Sequence, residues 1–593
     1  MDLNQEDLYV ELDNTPLFET LEQGERRKYF PEVKSAKVYK GLAVRSTDLG
    51  EMVSIETTDS KTYDTLIDFF HAAKDGQVYA CFEASDLDIL VKYLGEDKCK
   101  SLYEGTTIRT RGVLIRYTPS RLLTLWESGK VVRINSLKYW FRQFDLDKSR
   151  AIVGLPVSIE SKSKKTLELW DAIWKSTGDL WRTLRPALFY SPSLISKPIV
   201  DTVLAEIDLE YVPQEAQEMA YNCIHAPWVD IFTKGVVHQG YDYDLNSAYP
   251  TELMKLPSID YLGGEWYHSY EYEKKTKYGF CYAVITVYEG IHASPIKVRY
   301  RQRLYSPTGS WIGYITKAEI DYLHRWKLGE VEVLYGWWFK PNDYSFKPFR
   351  RGAAMYIKKR ASARTNGDLP AALALKLAAA SIYGRFLQKR QNLDGSWIAS
   401  QTFCPIYACI VMTEVKLRIA YLTNKLGKSV ASVNVDGIVT EETLDYRTVD
   451  ISNLKLAYEG EVTLVAPLLY TIQGRDSVFD FPELIDENLD NPELPIGSSR
   501  RVGLCEALSS GNFDLVGSTS QYPSTLSVSA PYGRAWDKSP VRASDLKDGI
   551  YRSRALHIEE IVWRDWLEDY EAMGIDYVDD AVERGKNRVR ITI

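Results

Sequence analysis

The chain is poor in sulphur and imidazole. Its 593 residues hold seven cysteines and seven histidines. No two cysteines stand at zinc-ribbon spacing, so a structural metal site of that type is not expected. Sparse, unpaired cysteines suit a reducing compartment, which makes a cytoplasmic location the expectation. No stretch of about 18 apolar residues occurs, so no membrane-spanning segment and no membrane partner are expected. The first residues, MDLNQEDLYVELDN, are acidic and lack an apolar run, unlike a secretory leader. Internal repeats and low-complexity tracts are missing as well. Positive charge is also in deficit, with a formal net charge of −8. That balance excludes a protein that coats nucleic acid over its whole surface. It leaves room for a local basic channel, because the phosphate field acts within about one Debye length.

Hydrophobic residues make up 45% of the chain and charged residues 26%, the ordinary balance of a folded globular protein. At roughly 100–200 residues per domain, the length allows about three to five structural units. Residues 1–35 read as an acidic arm. From 36 to 190 short β-rich runs (VYKGLAV, QVYACF, TIRTRGVLIRY, KVVRINSLKYW) alternate with helical ones (TYDTLIDFFHAA, LDILVKYL), the pattern of a mixed α/β domain. The Pro-bearing stretch LFYSPSLISKP reads as the start of a linker over 191–231. Residues 341–428 carry 15 Lys plus Arg against 4 Asp plus Glu, a local excess of 11 positive charges. Residues 475–494 swing acidic, and the end of the chain reads as a helix, ALHIEEIVWRDWLEDYEAM, and a short strand, NRVRITI.

Three segments carry chemistry. In GYDYDLNSAYPTELM a strand leads into Asp244, with a turn and a short helix after it. A carboxylate at a strand end can present oxygens to a hard cation, and the Leu245 carbonyl can serve as another ligand. Asp242 lies two residues away on the same strand face and is a rival; an Asp that merely caps the turn is the plainer alternative. In the second segment, Asp368 suits a helix cap and Pro370 a first turn, opening a helix PAALALKLAAASIY. Lys376, Ala380 and Tyr383 share one face of it. Gly384 is expected to end the helix and leave room for close approach. Arg364 lies upstream among Lys358, Lys359 and Arg360. An amphipathic helix with a snorkelling lysine would look similar. In KSVASVNVDGIVTEE, alternating residues around Asp-Gly predict a β-hairpin with Asp436 at its tip, though Asp-Gly is also a common turn dipeptide. Together, two carboxylates on two strands with a Lys/Tyr helix between them are what two-metal nucleotidyl transfer requires.

At these residues the chain resembles the family B DNA polymerases, and within them the protein-primed branch of small phages, viruses and linear plasmids. DLNSAYP resembles motif A, D-x-x-S-L-Y-P, with Ala248 in place of Leu. KLAAASIYG resembles motif B, K-x-x-x-N-S-x-Y-G, with Ala380 in place of Asn. NVDG resembles motif C, D-T-D-S, with Asn434 at the first Asp. The resemblance implies a multidomain α/β and α+β chain. It would be a right-hand polymerase of palm, fingers and thumb behind an N-terminal RNase H-like exonuclease-type domain. It implies Asp244 and Asp436 as catalytic metal ligands for two Mg²⁺ ions, which Mn²⁺ can replace, with Leu245 as a carbonyl ligand. It further implies Tyr249 as a steric gate and Arg364, Lys376 and Tyr383 at the nucleotide. Gly384, Arg385 and Tyr470 would lie at the DNA. Partners are primer-template DNA, dNTPs and a terminal priming protein.

The implied boundaries are an exonuclease-like domain over 36–190, palm with an insertion over 232–340, fingers over 341–400, palm over 401–470, and thumb with the C-terminal region over 471–593. Where relatives carry a Tyr-Gly-Gly type motif, this chain has HAPW at 225–228. The Lys-x-Tyr motif survives only as Leu468-Leu469-Tyr470. No Asp-x-Glu pair appears on the first strand of the N-terminal domain. Asp86 and Asp179 are the remaining candidates there, so the domain is expected to be degenerate and proofreading absent. Two other readings stay open: a primer-independent polymerase or primase, and an inactive palm kept as a DNA- or protein-binding module.

Overall fold

The computed structural model describes residues 42–49, 52–75, 78–141, 145–184, 191–225, 227–300, 303–342, 346–391, 397–444, 454–472, 495–525, 531–540 and 545–562. The arm at 1–35, the acidic stretch at 475–494, the strand NRVRITI and most of the expected C-terminal helix lie outside these residues. The chain divides into two compact units, each built from three stretches. One comprises residues 1–203, 349–403 and 496–524, the other residues 204–348, 404–495 and 525–593.

The first unit is organised by an eight-stranded sheet. Its strands are β1 (Leu42–Leu49), β2 (Met52–Thr57), β3 (Thr62–Tyr63), β4 (Val78–Cys81), β5 (Ile108–Thr110), β6 (Val113–Thr118), β7 (Leu122–Glu127) and β8 (Lys130–Ser136). The order is β3-β2-β1-β4-β8-β7-β6-β5. β4 runs parallel to both β1 and β8, and the outer pairings are antiparallel. In strand β6 the alternate residues Val113, Ile115 and Tyr117 are buried, the period-2 signature of a strand with one face on a core. Helices α1 (Leu66–Ala72), α2 (Ala84–Lys92), α3 (Glu96–Tyr103) and α4 (Leu146–Ile152) accompany the sheet. Thr65 caps α1 by accepting from the Asp68 amide.

The core of this sheet recruits residues from much later in the chain. Val502, Leu504, Ala507 and Val516 join Phe69, Leu87, Leu125 and Ile134 in one apolar cluster. They belong to a segment formed by β23 (Pro495–Arg501), α13 (Leu504–Ser509) and β24 (Thr519–Thr525). Lys92 fastens it further, its ammonium donating to the carbonyls of Asp514 at 2.9 Å and Val516 at 3.0 Å.

The same unit holds α5 (Lys162–Leu184), α6 (Ser193–Glu206), α10 (Arg350–Thr365), α11 (Leu369–Arg385) and the hairpin β17 (Lys389–Gln391) and β18 (Trp397–Ala399). Helix α6 replaces the expected start of a linker. Buried Ile195, Ile199, Val200, Val203 and Leu204 give it a helical apolar face that outweighs the interior Pro198. It packs closely on α10, where a Cβ at Gly352 would stand 2.8 Å from Ile199.

The second unit contains two sheets. The first has the order β22-β21-β10-β20-β19-β9, with β26 also paired to β10 and β25 to β26. Its strands are β9 (Val229–Ile231), β10 (Thr233–Leu245), β19 (Val430–Asn434), β20 (Gly437–Thr440), β21 (Leu454–Ala466), β22 (Leu469–Ile472), β25 (Arg534–Trp536) and β26 (Ile550–Ala555). The second sheet runs β11-β16-β12-β15. It is built from β11 (Gly264–Ser269), β12 (Tyr278–Val287), β15 (Gly309–Thr316) and β16 (Gly329–Pro341), with the hairpin β13 (Val298–Tyr300) and β14 (Arg303–Tyr305) nearby in sequence.

Helices α7 (Gln214–Asn222), α8 (Ala248–Leu253), α9 (Lys317–Trp326), α12 (Pro405–Leu426) and α14 (Asp545–Asp548) complete the unit. Thus α7 and β9 also occupy the expected linker. Helix α12 is buried nearly all round and lies under the first sheet. Its Val415, Ile419 and Ala420 share a core with Trp228, Tyr241, Tyr243 and Leu245. A buried ion pair joins its Lys416 to Glu319 of α9. Among the described residues no helix is long and apolar enough to cross a membrane.

Candidate active site

Strand β10 is the axis of the site. It lies between β20 and β21, and its last residues pair with both: Asp244 stands opposite Gly437 on β20 and opposite Lys455 on β21. The hairpin of β19 and β20 closes through Val435 and Asp436, with Asn434 paired to Gly437. The chain turns there more tightly than a two-residue hairpin requires. The Asp436 amide donates to the Asn434 carbonyl at 2.8 Å, and Val435 has φ of 65°. This is a γ-turn with a positive central φ, a rare and strained form, here on a β-branched residue. The Leu245 amide then donates to the Asp436 carbonyl at 2.8 Å, fastening the tip to the end of β10. Asp244 and Asp436 are thus neighbours across a backbone hydrogen bond, from sequence positions far apart.

Glycine at 437 is a steric requirement here. A Cβ at that position would stand 2.7 Å from Asp244 Oδ1 and 3.0 Å from the Tyr243 carbonyl. The Asp-Gly dipeptide therefore does more than turn the chain: it opens the space in which the Asp244 carboxylate lies. That carboxylate keeps about 40% of its side-chain surface exposed, and Lys455 Nζ sits 3.5 Å from Oδ2. The rival carboxylate is placed otherwise. Asp242 is buried and accepts from the Tyr470 hydroxyl at 3.1 Å. Tyr470, expected at the DNA, thus braces the floor of the site.

The donor atoms suit a hard divalent cation. Two carboxylates and a nearby main-chain carbonyl are oxygen ligands, and such ions complete their shells with substrate phosphates and water. The Asn434 Oδ1 is buried without a hydrogen-bond partner, a further oxygen at the hairpin. Among the described residues no group of three or more His, Cys, Asp or Glu is arranged to hold a metal, so the carboxylates offered are a pair. After Asp244 the chain turns through Ser247, which has φ of 53°, into the short α8. Tyr249 on this helix is half-buried against the core that holds Tyr243 and Leu245.

The residues of the second motif belong to the other unit. Asp368 caps α11 as expected, accepting from the Ala371 amide at 3.1 Å. Lys376 and Ala380 are exposed along one face with half-buried Tyr383. The helix does not stop at Gly384; it runs through it to Arg385, because Arg385 gains an internal partner there. Its guanidinium donates to the Ser193 carbonyl from Nε at 3.2 Å and Nη2 at 2.7 Å. Arg385, expected at the DNA, is buried and pins the end of α11 to the start of α6. Gly384 is exposed, and a Cβ there would meet nothing within 4 Å. On α10 the exposed Arg364 and its neighbour Arg360 repel each other, and burial with that repulsion lowers the Arg360 guanidinium below its usual range.

In the N-terminal sheet, β1 has the sequence LAVRSTDL and carries no Asp-x-Glu. Asp86 lies in the first turn of α2 and is buried. Asp179 falls within α5, its side chain outside the described residues. The sequence reading missed Asp88. It is buried, accepts from the Tyr117 hydroxyl and the Leu504 amide, and its carboxyl is pushed up to about 6 by burial. Only the position of the late segment reveals it, and no local pattern announces that contact.

Residues 227–415 match the family described as DNA polymerase type B, organellar and viral. The matched stretch takes in Asp244 and Lys376 and ends before Asp436. No curated protein shows significant similarity to the sequence. Solved structures of phi29 DNA polymerase share the fold. An orthorhombic crystal form aligns at a TM-score of 0.52 with 11% identity, over 74% of this chain and 89% of that one. The post-translocation complex with primer-template DNA gives 0.53 and 12%, over 78% and 96%. The ternary complex with primer-template DNA and incoming nucleotides gives 0.52 and 12%, over 78% and 95%. At such identities the structures speak for the fold alone, that of phi29 DNA polymerase, and the sequence speaks through residues 227–415, which match a type B, organellar and viral DNA polymerase, a DNA-directed DNA polymerase.

Proposed function

We propose that the chain extends a primer 3′-hydroxyl on a DNA template by two-metal nucleotidyl transfer at Asp244 and Asp436, replicating the genome of a virus or other mobile element. The observation that carries this reading is the joining of the two strands, with Asp244 opposite Gly437 and the Leu245 amide on the Asp436 carbonyl. The Asp244 and Asp436 carboxylates, with the Leu245 carbonyl, would hold two Mg²⁺ ions, or Mn²⁺ in their place. When bound, such ions favour the deprotonated 3′-oxygen and neutralise charge on the departing pyrophosphate.

The chain's own residues do the remaining work. The 3′-oxygen forms a bond to the α-phosphorus of the dNTP as the bond to pyrophosphate breaks. Exposed Lys376 and Arg364 neutralise the triphosphate. Tyr249 crowds the sugar and gates against a 2′-hydroxyl. Tyr383 packs on the nascent base pair, and exposed Gly384 leaves room for DNA to approach. Primer-template DNA and incoming nucleotide substrates are the ligands in the phi29 complexes, and we take primer-template DNA and dNTPs as the ligands here.

We further propose that the sheet β11-β16-β12-β15, between motifs A and B, helps hold a priming protein. The strand order β3-β2-β1-β4-β8, with β4 parallel to β1 and β8, supports an RNase H-like N-terminal domain. We read that domain as devoid of proofreading, because β1 lacks the acidic pair and Asp88 is committed to internal hydrogen bonds.

The test is extension of a 5′-labelled primer with dNTPs in Mg²⁺ or Mn²⁺, beside a chelated control and an unprimed template. Metal-dependent extension with no degradation of a 3′-mismatched primer is the expected result. Extension that persists in chelator would remove the two-metal reading. Products on unprimed template would shift the reading to self-initiation.

A further inference from the structure

The tip that carries Asp436 is strained, and strain of this kind costs about 1–3 kcal/mol and persists only where the surroundings over-determine it. The Val435 amide donates to the Trp228 carbonyl at 2.9 Å. Trp228 directly precedes β9, which pairs with β19 in the register Asn434 to Val229 and Val433 to Asp230. The position of Trp228 therefore sets the position of Val435, and through it Asp436.

Trp228 is itself held from the preceding residue. Pro227 has no amide to offer, so its carbonyl is the one backbone group through which it can be tied. Lys297 Nζ donates to that carbonyl at 2.8 Å. Lys297 is buried, and its backbone is anchored by buried Ile296 and Val298 on either side. Among the described residues two charged groups face it. Asp230 on β9 is already paired with Arg534 at 3.2 Å, and Lys416 on α12 is paired with Glu319. Among the described residues no carboxylate is paired with Lys297 itself, and a buried ammonium so placed is costly. An apolar side chain would fill the space more cheaply, so stability alone does not explain it.

We propose that Lys297 is a positioning residue for polymerisation: by tethering the Pro227 carbonyl it fixes Trp228, which holds Val435 in its left-handed turn and so keeps Asp436 beside Asp244. The assignment rests on the polymerase reading for its catalytic consequence, while the tether itself is a property of the hairpin. Burial, then repulsion from Lys416, pushes the Lys297 ammonium down to about 8. The tether is therefore strongest below that pH and weakens as the proton is lost.

The experiment compares the full chain with Lys297→Met and Lys297→Arg by hydrogen–deuterium exchange and by primer extension from pH 6.5 to 9.5. We expect Lys297→Met to raise exchange across residues 430–440 about tenfold. We expect it to lower kcat about tenfold with little change in KM for dNTP, as misplacement of a reacting group does. The fall of kcat above pH 8 should disappear with the lysine, and Lys297→Arg should restore most of the rate and protection. Wild-type exchange and kcat in a folded Lys297→Met protein would overturn the proposal, as would equal losses in both variants spread over the whole chain. Should the Met variant not fold, Lys297→Gln serves: faster exchange at 430–440 supports the tether, and unchanged exchange overturns it. If the wild type extends no primer, the polymerase reading fails, yet exchange at the hairpin still decides the tether.

Discussion

Two regions of this chain bring aspartates together, and they do opposite things with them. At the end of β10, Asp244 is partly exposed beside a strained hairpin, with a lysine 3.5 Å away to balance it. On α2, Asp86 and Asp88 are buried, and Asp88 is consumed by the Tyr117 hydroxyl and the Leu504 amide. The first arrangement leaves oxygens free for an incoming cation. The second uses the carboxylate as an internal acceptor that locks a late segment of chain onto the N-terminal sheet. Residue type is shared; access and partners separate a site from a fastening.

The sharpest way to break this comparison is to remove the charges. Asp244→Asn and Asp436→Asn should each cost at least about 100-fold in incorporation rate, the scale of losing a preorganised charge at the reacting centre. Melting temperatures should change little, because strained, polar functional sites are not where stability comes from. A smaller loss is expected from Gly437→Ala. Its Cβ would press on Asp244 Oδ1, and we expect about a tenfold drop in rate with the fold intact, measured by steady-state extension.

On the buried side, the prediction concerns stability and pH. The Asp88 carboxyl is raised from an ordinary value near 3.8 to about 6. Its folded form thus prefers the proton, so the stability it contributes is full below pH 4 and lost as pH rises through 6. The difference is about 3 kcal/mol at most, from about 1.4 kcal/mol per unit. Asp88→Asn should flatten that dependence, read as protease resistance of residues 502–518 at pH 4.5 and 7.5. The smallest effect is expected from Tyr470→Phe. Losing its hydrogen bond to Asp242 should cost about 1 kcal/mol of stability and at most a few-fold in rate, checked by thermal melting and extension together.

Much of the site was legible because its signals are local. The strand before Asp244, the cap at Asp368 and the hairpin at Asp436 each follow from residues adjacent in sequence. What escaped was set by tertiary contacts. The start of the expected linker is the helix α6, because apolar residues at helical spacing outweigh Pro198. Gly384 does not end α11, because Arg385 finds the Ser193 carbonyl. Asp88 acquires its role from Leu504, and Lys297 from Pro227, and no periodicity in the sequence connects either pair. The Asp242 and Asp244 ambiguity is of the same kind: they stand two residues apart on one strand face, and Tyr470 returns to the buried Asp242 while Asp244 keeps part of its surface exposed.

The most direct test of the central claim is single-turnover incorporation of one dNTP onto a primed template by the wild type, Asp244→Asn, Asp436→Asn and Asp88→Asn. The account predicts incorporation by the wild type and Asp88→Asn and none measurable by the other two. Wild-type rates in either Asp244→Asn or Asp436→Asn would contradict it.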